Sequence, residues 1–182
     1  MYAANAGLLS GNWRVTADTT AAGGSRLVNP DAGVAKKATA DENPVDYAEL
    51  TFDAEAGRDY RVWLRAKAAA NSYLNDSVFL QFSGTVTSAG VPIYRAGTTS
   101  ALSMVLEDCS GCTISGWGWQ DEGYGAAVLG PTIRFATTGR QRIRIQRRED
   151  GISIDQIVIS SEKYLVNAPG PVKQDVTILP PS

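Results

Sequence analysis

Two cysteines, Cys109 and Cys112, open the most unusual stretch of this chain, CSGCTISGWGWQDEGYG at 109–125. A C-x-x-C pair performs redox chemistry when it sits at a helix N-terminus following a strand. Here Ser and Gly surround the pair and no helical period follows it. Thiolates also ligate zinc, but a structural site takes four ligands, and the chain holds no histidine and no second cysteine pair. A small disulfide pinning one loop is the plain expectation, with two free thiols as the alternative.

The absence of histidine also removes Ser–His–Asp and Cys–His catalysis and the commonest general base. Carboxylates remain, and glycoside hydrolysis requires two of them across a cleft. The acids fall instead as adjacent pairs in turns: Asp41-Glu42, Glu107-Asp108, Asp121-Glu122 and Glu149-Asp150. Asp155 differs, standing alone among β-branched residues in ISIDQIVIS. Such an aspartate fits a structural hydrogen bond or a metal ion, and calcium suits an oxygen donor. No catalytic residue is assigned.

The aromatic residues carry the more specific chemistry. Trp117 and Trp119 are two apart, hence on one side of an extended segment, and Gly116 and Gly118 leave their faces open. Tyr124 closes the stretch, and Tyr73 lies in NSYLND with Asn75 and Asp76. A flat ring beneath the C–H face of a sugar, with Asn, Asp, Glu or Arg at its rim, is how proteins bind carbohydrate. The tryptophans also suit a core, and Trp13 is expected there. Arg142, Arg144 and Arg148 share a strand face, which reads as a solvated surface with local carboxylates or as a basic surface for an anionic sugar polymer.

Strands must position these groups. Period-two alternation recurs at 46–54, 59–67, 77–83, 132–137, 140–148 and 152–160, and more weakly at 2–6, 12–17, 25–29 and 102–107. Gly, Pro, Asn and Asp clusters separate these segments, which predicts an all-β fold, an antiparallel β-sandwich or barrel. RQRIRIQRREDGISIDQIVIS reads as a hairpin turning at Asp150-Gly151. Residues 1–165 form the expected domain, and the Pro-rich 166–182 reads as a linker or strap. The net charge of −2 argues against a nucleic-acid partner. No apolar run approaches a membrane span. The start, MYAANAGLLSG, has neither the basic nor the apolar region of a signal peptide.

GRQRIRIQRREDGISIDQIVIS, together with LVNPDAG ahead of YAELTFDAEAGRDYRVWLRAKA, resembles the strand motifs of carbohydrate-binding modules related to families 6 and 35. The likeness covers most of residues 2–160. It implies a jelly-roll sandwich of the galactose-binding type, non-catalytic, carried as a monomeric module in a larger secreted bacterial protein that degrades polysaccharide. GWGWQ falls at the loop tryptophan of those modules, so the resemblance implies that Trp119, or Trp117, stacks on the sugar. The turn REDGIS would add Arg148, Glu149, Asp150 or Ser153. Asp155 matches an aspartate that helps to hold a structural calcium, although YAANA stands where an acidic strand usually opens the family. The expected function is polysaccharide binding. A protein-interaction or surface-structural sandwich, and a lyase or hydrolase jelly roll, are the alternatives.

Overall fold

The computed structural model describes residues 1–125 and 127–180; Pro181 and Ser182, the end of the expected linker, lie outside the described residues. In chain order the strands are β1 (Leu8–Ser10), β2 (Arg14–Ala17), β3 (Ser25–Val28), β4 (Tyr47–Ala54), β5 (Arg61–Ala68), β6 (Ser77–Phe82), β7 (Thr85–Val86), β8 (Leu102–Val105), β9 (Gly118–Gln120), β10 (Arg134–Phe135), β11 (Gly139–Arg147) and β12 (Ile152–Ser160). They form two five-stranded antiparallel sheets, β1-β4-β11-β6-β8 and β2-β3-β12-β5-β9, with β7 and β10 as a small accessory pair. The fold is the expected antiparallel β-sandwich.

Alternation places the core between the sheets. Ala48, Leu50, Val78, Leu80, Phe82, Ile143 and Ile145 come from one, and Leu27, Val62, Leu64, Ala66, Ile152, Ile154 and Ile157 from the other. Ile154 and Ile157 both face inward because the register of β12 slips between Ile154 and Gln156, a bulge that puts Gln156 on the outer side together with Asp155. Phe135 closes one end with edge-on contacts to Phe52, Tyr60 and Phe82. Trp13 is buried as expected.

On the outer face of β4 and β11, Arg140, Arg142 and Arg144 stand opposite Asp53, Thr51 and Glu49. Arg144 Nε lies 2.7 Å and Arg142 Nε 3.4 Å from Glu49 Oε1, and Arg140 Nε lies 3.6 Å from Asp53. The arginine face is therefore largely satisfied by carboxylates of the neighbouring strand.

Two expectations are corrected. The β11–β12 connection is no hairpin: β11 pairs with β4 and β6, while β12 pairs with β3 and β5 in the opposite sheet. Its turn is an arch between central strands, where pairing with sheet neighbours outweighs local pairing. Gly151, at φ 80°, makes the corner against the side chain of Asn75. Residues 2–6 form a short 3-10 turn, Ala3–Asn5, rather than a strand, with Tyr2 alone bridging to Gln156.

The C-terminal segment, expected as a linker or strap, packs on the sandwich through its described residues. It crosses the outer face of β5, which is why Arg61, Trp63 and Arg65 are as buried as the core-facing residues between them. Trp63 donates to the Tyr164 carbonyl at 2.7 Å, and Arg61 Nε to that of Leu165 at 2.8 Å. Arg65 holds the strap most firmly. Its Nε donates to Asp175 Oδ2 at 2.6 Å, its Nη2 to the Asp175 carbonyl at 2.9 Å, and its Nη1 to Asp155 Oδ2. All three side chains are essentially without solvent contact.

Removing the cation from such a triad leaves buried carboxylates uncompensated, whereas an exposed pair contributes little. Arg65→Met is expected to lower stability by about 3–5 kcal/mol in urea unfolding, and Arg142→Met by less than about 1 kcal/mol. Equal effects would contradict the role given to the clasp.

Candidate ligand-binding site

One end of the sandwich carries the β5–β6 connection, the β8–β9 connection and the β11–β12 arch. After β5 the chain passes through Ala70 and Asn71, both at positive φ (53° and 51°), a conformation that costs a non-glycine residue about 1 kcal/mol. The Asn71 side-chain oxygen accepts from Gly116 N at 2.9 Å, which fixes this kink to the tryptophan stretch. A 3-10 turn, Tyr73–Asn75, follows, capped by the Ser72 hydroxyl, which accepts from Leu74 N. This local geometry leaves Tyr73 61% exposed.

Opposite Tyr73 stands the CSGC loop. Cys109 and Cys112 are joined in a disulfide. The turn between them is closed by Cys112 N donating to the Cys109 carbonyl at 2.9 Å, and Gly111 N donates to Glu107 Oε1 at 3.2 Å. Tyr73, Asn71, Glu107, Ser110, Cys112 and Thr113, with Gly111 and Ile114, line an open pocket of about 490 Å³ between the two loops. It offers one flat aromatic face, a carboxylate, an amide and two hydroxyls, with no lysine or arginine in its lining. A larger hollow of about 690 Å³ lies toward the far end of β12, but its Gln156 amide is spent on the Leu179 backbone.

The residues anticipated for binding are dispersed. Tyr73 lines the pocket, and Tyr124 is exposed nearby, where Gly125 N meets the Asp108 carbonyl. Trp117 and Trp119 are not displayed. The strap runs beside them: Trp119 N donates to the Pro171 carbonyl at 2.9 Å and Asp175 N to the Trp117 carbonyl at 2.8 Å. Gly118 has no side chain because a Cβ there would collide with the Val172 carbonyl. Trp119 is fully buried, and Trp117 is covered by Lys67 and Arg65, whose cationic groups lie 4.6 and 5.1 Å from its ring centroid.

Asn75 is buried with its amide on Asp31, and Asp150 accepts from Ala32 and Val34 N at 2.7 and 2.8 Å. Ser153 holds Arg26, and Arg148 donates to the Ser77 hydroxyl at 2.7 Å. These groups build the loop end rather than face a ligand. Asn71, Glu107, Ser110, Thr113 and Ile114 were missed. They carry no signal beyond ordinary polar turn composition, and only the three-dimensional meeting of two loops gathers them.

Asp76 and Glu149 form a buried acid pair beneath the pocket. Burial, aided by the hydrogen bond and charge of Glu149 and the charge of Glu107, pushes Asp76 up to about 7. Burial works the same way on Glu149, but hydrogen bonds from Lys36, Ser77 and Asp76 outweigh it and hold Glu149 below its ordinary value. Asp155 is pushed up to about 6 by burial, despite Ala22 N and Arg65.

Asp155, expected to help hold a structural calcium, keeps its Oδ1 buried without a hydrogen-bond partner among the described residues. Its Oδ2 faces two donors, the Arg65 guanidinium and Ala22 N, the latter at 2.8 Å. Among the described residues no set of three acidic or thiol side chains closes around it.

A carboxylate with a raised folded value holds a proton that the unfolded chain releases. Stability from Asp76 and Asp155 is therefore present at low pH and is lost as pH rises from about 4 through about 7. Asp18 acts oppositely: hydrogen bonds from Thr20 and Lys67 outweigh burial and hold it at about 2, so its contribution is lost as pH falls below about 4. The urea midpoint is expected to peak near about pH 4 and to decline toward about pH 8. A midpoint that rises continuously to about pH 8 would contradict this assignment.

No family model matches the chain, and no curated protein matches it. Among solved structures, the cycloalternan-forming enzyme from Listeria monocytogenes in complex with a pentasaccharide substrate is similar, with a TM-score of 0.51 and 13% identity over 87% of this chain. A structure of an uncharacterized L. monocytogenes EGD-e protein in complex with α- and β-D-glucose, magnesium and calcium gives a TM-score of 0.52 and 13% identity over 87% of this chain. The chain spans only 11% of each of those chains. A family 35 carbohydrate-binding module from Clostridium thermocellum aligns over 84% of this chain and 90% of its own, at 11% identity and a TM-score of 0.40. The likeness to the two L. monocytogenes structures is one of fold alone, a β-sandwich.

Proposed function

We propose that this chain is a non-catalytic carbohydrate-binding module that holds a neutral sugar ring in the pocket between Tyr73 and the CSGC loop. The observation that carries this reading is the exposed Tyr73 ring in an open pocket of about 490 Å³ edged by Asn71, Glu107, Ser110 and Thr113. A pyranose is amphipathic in the same way, with a C–H face for the ring and hydroxyls for the rim. The similarity of fold to chains solved with glucose or a pentasaccharide supports it. The ligand class follows from charge. A uronic acid would need cationic partners, yet this pocket is lined by Glu107 and by no lysine or arginine, Lys173 only touching the lining Thr113 hydroxyl at 3.4 Å, while Arg140, Arg142 and Arg144 lie on a sheet face beside carboxylates.

The module would serve as an accessory domain that brings a larger secreted protein to its polysaccharide. The disulfide Cys109–Cys112 suits an oxidising compartment.

Affinity gels containing neutral polymers (dextran, xylan, galactomannan) or uronic polymers (polygalacturonate, alginate) test this at two salt concentrations. A neutral polymer is expected to retard the protein with little salt dependence. Tyr73→Ala is expected to weaken that retardation about tenfold or more while the protein stays folded. Retardation by none of the polymers, or an unaffected Tyr73→Ala variant, would overturn the proposal.

Trp119→Ala separates this reading from one in which a tryptophan stacks on sugar. Loss of a fully buried indole is expected to destabilise the fold by about 3–5 kcal/mol in urea unfolding. Unchanged stability with abolished binding would return the site to the tryptophan.

A further inference from the structure

The Asp76–Glu149 pair lies where the two walls of the pocket meet. Asp76 directly follows the Tyr73–Asn75 turn, so its position is tied to that wall by the chain itself. Its Oδ2 accepts from Glu107 N at 2.8 Å and its carbonyl from Leu106 N at 3.0 Å, which attaches the wall that begins at Glu107 and carries the disulfide loop. Asp76 is 1% exposed and Glu149 2%.

The surroundings leave the pair one negative charge. Glu149, from the β11–β12 arch, accepts from the Ser77 hydroxyl and lies 2.8 Å from Lys36 of the 31–37 loop. Arg148 reaches the same Ser77 hydroxyl, and Asp31 is occupied by Asn75. Glu107 adds a further negative charge from its own wall. Lys36 is thus the one cation in direct contact with the acids, and it pairs with Glu149. Two neighbouring carboxylates of this kind share a proton.

We infer that Asp76 is a positioning residue for the pocket: its backbone N–H reaches Glu149 Oε2 at 3.4 Å in either protonation state, and its carboxyl sets the separation of the Tyr73 and Glu107 walls through a further hydrogen bond to Glu149 that only the neutral form can donate. With Asp76 protonated, one carboxyl group accepts from Glu107 N, donates to Glu149 and fixes both walls. With Asp76 ionised, two buried anions face each other, and the walls separate to admit water between them. Binding at the pocket is therefore strongest on the acid side of neutrality. The inference rests on the proposed sugar site for its consequence in binding, but the coupling of the walls can be read without any ligand.

NMR of the whole chain across about pH 5 to about pH 9 tests it, following the Glu107 amide and the Tyr73 ring in the wild type and in Asp76→Asn. Asparagine presents the same acceptor to Glu107 N and a permanent donor to Glu149. In the wild type both signals are expected to titrate together with a midpoint near neutrality, and in Asp76→Asn neither should move. Each neutral polymer that retards the wild type should bind it less tightly as pH rises, by up to about tenfold per pH unit above the midpoint. Binding by Asp76→Asn should stay flat. If none of the polymers binds, the proposed function fails while the titration still decides the coupling. Wild-type signals that do not titrate together near neutrality, or that titrate equally in Asp76→Asn, would overturn the inference. If Asp76→Asn does not fold, the wild-type titration alone decides.

Discussion

Arg65 is the group on which the arrangement of this protein most depends. It lies mid-strand on the outer face of β5, the side that a two-layer sandwich normally leaves to water. Here it is 1% exposed, with Asp155 on one side and Asp175 on the other. A buried guanidinium is tolerated only where carboxylates and carbonyls meet its donors, and Asp175 supplies both. The consequence is topological. A Pro-rich tail that would otherwise be solvated becomes a cover over β5 and β9. Under it lie Trp63, Trp117 and Trp119, and Arg65 holds one oxygen of Asp155. The same ion triad thus removes the aromatic surface that the strand motifs alone suggest.

The fold was legible because alternation and turn chemistry are local. Leu50, Ile143 and Ile145 declare an inner face, and Glu49, Arg142 and Arg144 an outer one, in any window of five residues. Where local pattern misled, a distant partner was responsible. Asp150-Gly151 reads as a hairpin turn, yet the neighbouring strands of each sheet claim β11 and β12 separately, and the same residues form an arch. Trp117 and Trp119, set among glycines, read as displayed rings. Gly118 is glycine for another reason: the strap backbone presses against it. Whether a glycine frees a neighbouring ring or admits a neighbouring backbone depends on what arrives from elsewhere in the chain.

The pocket follows the same logic. Tyr73 could be suggested from its company of Asn and Asp, but Asn75 and Asp76 turn inward to hold the loops, while Asn71 and Glu107 line the pocket with one side-chain oxygen each on a loop amide. The polar residues near an aromatic divide into those that present it and those that touch what it binds, and sequence does not separate the two. Burial does. The division also explains the acid pair: groups that hold two walls in register must sit out of water, and burying two carboxylates together makes one of them retain its proton.

The central claim is that sugar meets Tyr73 and not the tryptophans. It is tested most directly by titrating the folded protein with a binding neutral oligosaccharide while following indole N–H and tyrosine ring signals. The account predicts that Tyr73 and the backbone amides of Asn71 and Glu107 shift with saturation, while the indoles of Trp117 and Trp119 stay in place. Saturable shifts of those indoles with an unmoved Tyr73 would contradict it.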